Sequence, residues 1–293
     1  ARSRRFRIFG SEMDFRKRHG IPDLGIGVGF RPKHARDVIE GGGSEHVEWY
    51  EIVSENYMVA GGRPMSDLAK LRERYTVIPH GVCMSIGAVE RLDDDYLARL
   101  KKLGRALDPP YFTDHVCFCK ARGLDLHDLL PLPYTDEALE HLVPRIRHVQ
   151  NTVEKPFALE NVSSYLTYRS SQMPEWEFIA ELAERADCGI LLDVNNVYVS
   201  AFNHGFDAEK FIDAIPADRV VQIHLAGHTD KGAYLLDTHS DHVKKEVWDL
   251  YQRAIRRIGP VSTLVEWDEM IPAWDVLATE AKLAREHRDG AAK

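Results

Sequence analysis

The chain has little cysteine, no long apolar run and no excess of positive charge, and each shortage removes a class of protein. Four cysteines (Cys83, Cys117, Cys119 and Cys188) in 293 residues are too few to staple a fold with disulfides and suit a reducing cytoplasm. Cys117 and Cys119 read either as a thiol pair or as ordinary strand cysteines. No run of about 18 apolar residues occurs, so no membrane span is expected. The net charge is −8 and the sequence pI is about 6.0. A protein that grips nucleic acid through its phosphates usually carries a basic surface, so no nucleic-acid partner is expected, although a local basic groove stays open. Basic residues do cluster in residues 1–22, at Arg2, Arg4, Arg5, Arg7, Arg16, Lys17 and Arg18. That stretch lacks the apolar core of a secretory signal. It reads as a solvated or partly disordered N-terminal arm, with contact to an acidic partner as the alternative. The expected division is therefore a basic arm, 1–22, and one catalytic domain, 23–293, in the cytoplasm.

What is present is a βα rhythm. A length of 293 residues with 44% hydrophobic content suits one (β/α)8 barrel. Short apolar runs between breakers predict strands over 24–30, 47–53, 76–80, 111–115, 157–160, 189–193, 220–224 and 263–266. Between them, helices are predicted over 32–40, 64–75, 92–107, 136–153, 174–186, 241–258 and 272–287. The glycines of LGIGVGF (24–30) permit close approach of backbone or ligand; this GxG is too weak to mark a nucleotide loop. Residues 116–135 predict a long loop of the kind that covers a site. No internal repeat beyond the βα period and no interdomain linker is seen.

The strand ends carry the chemistry. Strands three to eight stop on His80, His115, Glu160, Asp193, His224 and Glu266. In a barrel the carboxyl ends of the strands face the active site, so these six converge. Asn196, Asp237 and His239 follow closely and bring the candidate metal ligands to nine. A mixed imidazole and carboxylate set suits Fe, Mn, Zn or Co rather than Mg or Ca. One ion cannot use nine ligands, whereas two or three ions bridged by carboxylates can. Glu160 and Asp193 are the candidate catalytic residues. Glu51, Asn56, Asp114 and His204 are candidates for touching substrate; for Glu51 and Glu55 a supporting role or a plain solvated charge stays open. His228 and His242 read as polar contacts or surface. The other histidines take ordinary surface or cap readings.

These residues lie in motifs that run in one order from Gly25 to about residue 286: GIGVGFRP, EIVSENYM, PHGVCMSIG, TDHVCF, LLPLPYT, ALENVSSY, LLDVNNVYVSAFNHGFD, QIHLAGH, LDTHSDHV and VEWD. The set resembles the DUF692 family of multinuclear non-haem iron-dependent oxidative enzymes, which includes the methanobactin biosynthesis oxidase. More distantly it resembles the endonuclease IV and xylose isomerase-like barrels. The resemblance implies a xylose isomerase-like (β/α)8 TIM barrel of the α/β class, holding two or three irons of mixed valence. It implies an oxidase that uses dioxygen to modify cysteine residues of a ribosomally made precursor peptide, often presented by a leader-binding partner protein. Carried over by motif, His80, His115 and Glu160 would hold one metal. Glu160, Asp193, His224 and Glu266 would hold a second, and Asn196, Asp237 and His239 a third. Endonuclease IV has His where this chain has Asn196, and an amide oxygen is the weaker ligand, so the third metal is expected to be labile or of another kind. On this reading a substrate thiolate binds one ferrous ion and hydrogen is taken from the cysteine Cβ.

Three rivals remain. A zinc phosphodiesterase like endonuclease IV suits three metals, but the acidic balance disfavours it. A sugar isomerase or epimerase suits the barrel, but Glu160 is followed by Asn161-Val162 without the lysine that xylose isomerase uses. A non-catalytic metal binder does not need so many converging ligands.

Overall fold

The structure, a computed structural model, describes residues 14–293. Eight parallel strands close into a barrel: β1 (Ile26–Gly29), β2 (Trp49–Val53), β3 (Thr76–His80), β4 (Phe112–His115), β5 (Phe157–Glu160), β6 (Gly189–Asp193), β7 (Val220–Leu225) and β8 (Ser262–Val265). Each pairs with its neighbour in sequence and β8 pairs back on β1, the architecture expected of repeated βα units. Helices at Arg63–Arg72, Asp94–Leu107, Asp136–Val153, Glu175–Ala186, Lys245–Ile258 and Trp274–Ala291 fall where periodicity predicts them, shifted by a few residues at the ends. They bury the outer strand face, which is why the strands read as unbroken apolar runs.

Two differences bear on the site. Helices Val194–His204 and Ala208–Ala214 follow β6 without having been predicted. The first is rich in β-branched residues and asparagine, both poor helix formers. Its start is set by Asp193, whose Oδ1 accepts the Asn196 N–H at 2.6 Å, an N-cap of the preferred type. The expected loop over 116–135 contains an antiparallel hairpin, Phe118–Ala121 with Leu124–Leu130. Its outer strand is largely exposed and its sequence, LDLHDLL, dilutes the strand signal with charge.

The amino-terminal mouth is plugged. Phe15, 1% exposed, packs with Ile21, Trp49, Ile78, Tyr111, Val221 and Leu264. Trp49 fills the barrel because Gly27 stands opposite: a Cβ there would lie 2.4 Å from the indole. The close approach that the glycine-rich strand permits is thus an internal one. Residues 14–22 of the expected arm are accordingly anchored through Phe15 and Ile21, while Lys17 to Gly20 stay exposed. Arg18 grips Asp187 with both terminal nitrogens, at 2.6 and 2.7 Å. Residues 1–13, with Arg2, Arg4, Arg5 and Arg7, lie outside the described residues. Among the described residues no helix is long and apolar enough to cross a membrane. Cys117 and Cys119 are buried free thiols.

Candidate metal centre

Alternate residues of a strand face opposite sides of the sheet. That parity turns His80, His115, Glu160 and Asp193, the last residues of β3 to β6, into the barrel. On β7 the pairing shifts, with Ile190 opposite Val220 but Leu191 opposite Gln222, and both Gln222 and His224 face the interior. Glu266, one residue past β8, joins them.

The ligand atoms form three overlapping sets, within each of which they lie no more than 4.8 Å apart. In the first, His80 Nε2 and His115 Nε2 lie 3.5 and 3.3 Å from Glu160 Oε2. In the second, His224 Nδ1 lies 3.5 Å from Glu160 Oε1 and 3.1 Å from Glu266 Oε2, with Asp193 completing the group. In the third, His239 Nδ1 lies 3.4 Å from Glu266 Oε2 and 3.2 Å from Asp268 Oδ2. Glu160 therefore belongs to the first two sets, and Glu266 to the last two.

The surroundings aim these groups. His115 Nδ1 lies 3.1 Å from the Gly81 carbonyl, which can only accept, so Nδ1 is the protonated nitrogen and Nε2 turns inward. His80 Nδ1 lies 2.8 Å from Thr113 Oγ1. Behind His224, Glu51 Oε1 sits 3.2 Å from Nε2, and Gln222 Nε2 donates to Glu51 Oε2 at 2.6 Å. A carboxylate behind a histidine fixes the ring and raises its basicity toward a metal. Asn161 braces the Asp193 backbone, donating to its carbonyl and accepting its N–H, each at 2.9 Å.

Electrostatics show what the site needs. Burial, with the neighbouring Glu160, pushes the Asp193 carboxyl well above the carboxylate range. Burial lowers His80 well below a free imidazole. Burial also opposes charge on His115, but Glu160 and Asp114 outweigh it and raise the ring to about 9; on His224, Glu51, Glu160 and Glu266 likewise win over burial. The metal-binding forms are the carboxylate and the neutral imidazole, so metal uptake here is coupled to proton release. Buried Glu160 Oε2, Asp193 Oδ2, Asn196 Oδ1 and His224 Nδ1 have no hydrogen-bond partner among the described residues. Unpaired buried polar atoms are rare and costly. Convergent orphans of imidazole and carboxylate type fit bound metal ions.

The sequence-derived residues separate at this point. Asn196, Asp237, His239 and Asn56 line a cavity of about 700 Å³ over the ligands. Asn196 Nδ2 donates to the Asn161 carbonyl, leaving its Oδ1 unpartnered. Asp237 Oδ1 lies 2.7 Å from His239 Nε2 and accepts from Asn195 Nδ2 at 2.8 Å. His239 groups with Glu266 and Asp268, rather than only with Asn196 and Asp237 as the motif carry-over expects. Glu51 is a buried brace, not a substrate contact or a solvated charge. Asp114 cannot touch substrate as expected: it is 0% exposed, faces outward from β4 and sits beside Gly81 and Tyr96. His204 lines a neighbouring pocket instead of this cavity. His228 is a buried polar contact, its Nδ1 2.8 Å from Asn195 Oδ1.

Three contributors escaped the sequence reading. Asp268, two residues past Glu266 in VEWD, carried a usable signal, because i and i+2 share a face in extended chain. Asn161 and Gln222 carried none, since their role is to hold other side chains. Hairpin residues His127, Asp128 and Leu129 line the cavity, so the segment expected to cover a site does so.

Fold and ligand sets together define a (β/α)8 barrel whose clustered imidazoles and carboxylates could hold metal ions. Comparison with known proteins sharpens that class. Residues 25–289 match the model of the RiPP precursor modification enzyme family MbnB/TglH/ChrH, and the chain belongs to that family. It is 52% identical over 263 residues to a UPF0276 protein of Anaeromyxobacter sp. (strain Fw109-5), covering 90% of this chain and 92% of that one. It is 46% identical over 266 residues to a UPF0276 protein of Caulobacter vibrioides, covering 90% and 94%. Among solved structures, D-allulose 3-epimerase from Methylomonas sp. superposes with a TM-score of 0.61 at 13% identity, covering 92% of this chain and 98% of that one. D-psicose 3-epimerase from Clostridium cellulolyticum H10 gives 0.58 at 14% identity, covering 92% and 100%. At such identities the likeness establishes the xylose isomerase-like TIM-barrel fold alone. The chain is thus an enzyme of a metal-dependent, precursor-peptide-modifying family.

Proposed function

We propose that this protein is a multinuclear iron-dependent, dioxygen-using oxidase that modifies cysteine residues of a ribosomally synthesised precursor peptide in the cytoplasm, with a leader-binding partner protein presenting the peptide. The observation that carries the reading is the chain of three ligand sets joined by the shared carboxylates Glu160 and Glu266. Two or three irons of mixed valence held there would supply one-electron chemistry with dioxygen.

The chain's own residues have distinct tasks in this reading. His80, His115 and Glu160 hold one metal; Glu160, Asp193, His224 and Glu266 a second; His239, Glu266 and Asp268 a third, with Asn196 and Asp237 at its edge. Glu160 and Asp193 are the central pair, each turning a buried oxygen without a hydrogen bond into the site. Glu51 keeps the His224 ring in place through Nε2. Val53, Val82, Leu129, Val162 and Leu236 line the cavity beyond the ligands and keep bulk water from a bound peptide. Asn56 at the rim offers an amide to the peptide backbone. A cysteine thiol must lose its proton to become a ligand, and Asp237, paired with His239 on the cavity wall, can receive it.

The test is metal content of the chain purified anaerobically, without chelator, from iron-supplemented cells. About two or three irons per chain are expected. Co-expression with small cysteine-containing peptides encoded nearby should then change a peptide mass in a dioxygen-dependent way. Stoichiometric zinc without iron under those conditions would overturn the reading in favour of hydrolysis.

A further inference from the structure

A second cavity, of about 250 Å³, opens beside the metal cavity. The two share a wall. Along residues 162–168, Val162, Ser163 and Tyr165 line the metal cavity, while Ser164, Leu166, Thr167 and Tyr168 line the second. The chain leaving the hairpin does the same, with Leu129 on one side and Pro131 and Leu132 on the other.

This wall is held in place from both faces. The Asp237 N–H donates to Tyr165 Oη at 2.8 Å, tying it to the third ligand set. From the other side, His204 Nε2 lies 2.8 Å from Ser164 Oγ and 2.9 Å from the Ser164 carbonyl. The far side of the pocket is aromatic and fixed: Trp176 packs on Phe206 at 5.7 Å and on Phe211 at 5.9 Å. Leu166, at the rim, is 41% exposed. The acid in the lining, Glu175, is buried, and burial pushes its carboxyl up to about 8, which disfavours its charged form. Mostly apolar walls, a buried carboxyl whose charge is disfavoured and room for one large side chain select against charged occupants.

We propose that this pocket anchors a large apolar side chain, of the tryptophan, phenylalanine or leucine kind, from the same peptide whose cysteine enters the metal cavity. The proposal rests on the peptide reading of that cavity. Crossing a wall one backbone thick, about 5 Å, takes an extended peptide about two residues at roughly 3.3 Å each. The anchor is therefore a near neighbour of the modified cysteine, about two to four residues away. His204 then bounds this pocket and also sets the wall through Ser164.

The test uses the full metal-loaded chain with N-acetyl-tryptophanamide and N-acetyl-lysinamide as probes, read by saturation-transfer NMR at neutral pH. Saturable binding of the tryptophan amide and none of the lysine amide is expected. Leu166→Asp, at an exposed rim position, should weaken the tryptophan amide about tenfold or more. Phe206→Ala, at another wall position, should also weaken it. Val89→Asp, at a residue 87% exposed and outside the pocket, should change nothing. No saturable binding to the wild-type chain, undiminished binding to Leu166→Asp, or equal binding of the lysine amide would overturn the proposal. Iron analysis of the same samples separates the two readings. A chain that takes the tryptophan amide but carries no iron keeps the pocket and sinks the iron centre; an iron-loaded chain that ignores the probe does the reverse.

Discussion

Replacing Glu51 by glutamine keeps the shape of the side chain and removes one negative charge behind His224. Glu51 touches no proposed metal position, yet its oxygen lies 3.2 Å from His224 Nε2, while His224 Nδ1 faces Glu160 and Glu266. When Nδ1 binds a cation, Nε2 keeps its proton and donates it to Glu51. At an effective dielectric of about 20, a charge pair at this spacing is worth roughly 5 kcal/mol before the burial cost is subtracted. Most of that is offset, because burial already disfavours the Glu51 charge and raises its carboxyl, and a glutamine oxygen still accepts the hydrogen bond. What survives for such outer partners is about 10- to 100-fold in metal affinity. The assay is anaerobic loading with ferrous iron, then titration with a competing chelator, comparing midpoints for the wild type and Glu51→Gln. The weakened step should be one iron of the set, with the others holding and the fold unchanged by circular dichroism. Identical midpoints would refute the claim that Glu51 supports the centre through His224.

Other expectations follow from the same geometry. Asp193→Ala should abolish turnover and also lose a helix cap worth about 1 kcal/mol, whereas Asp193→Asn should abolish turnover yet unfold no more easily in urea than the metal-free wild type. Asp268→Asn should cost about one iron per chain by metal analysis and spare the first two sets; an unchanged count would remove Asp268 from the third. Phe15→Ala should destabilise by about 3–5 kcal/mol in urea unfolding with metal stoichiometry unchanged, and a negligible effect would refute the plug. For Glu175, burial pushes the folded carboxyl up to about 8 from an ordinary value of 4.5. Between those values the folded chain holds a proton that the unfolded chain releases, so its contribution to stability falls as pH rises through that window and is flat above it. Glu175→Gln should therefore show a smaller drop in melting temperature from pH 5.5 to pH 8.5 than the wild type; equal drops would show that Glu175 is not buried as described.

The sequence by itself determined the barrel and most of its candidate metal ligands. Strands buried on both faces must be apolar throughout, so polar residues at their carboxyl ends stand out, and His80, His115, Glu160, Asp193, His224 and Glu266 could be read directly. The docked segment around Phe15 and the hairpin over the cavity were hidden, because basic or charged neighbours mask short apolar contacts. Tertiary structure alone decided how the polar residues divide. Asp114 and His115 are adjacent in sequence, yet strand parity sends one outward to Tyr96 and the other to Glu160. Glu51 reads equally as a substrate contact, a supporting group or a solvated charge until barrel closure brings β2 across from His224. His204 follows the site in sequence, but the helix it ends carries it to the far side of a wall. Which carboxylates are shared between ligand sets is a matter of distances between different strands. Those distances are set by the register of all eight strands together, and no single stretch of sequence encodes them.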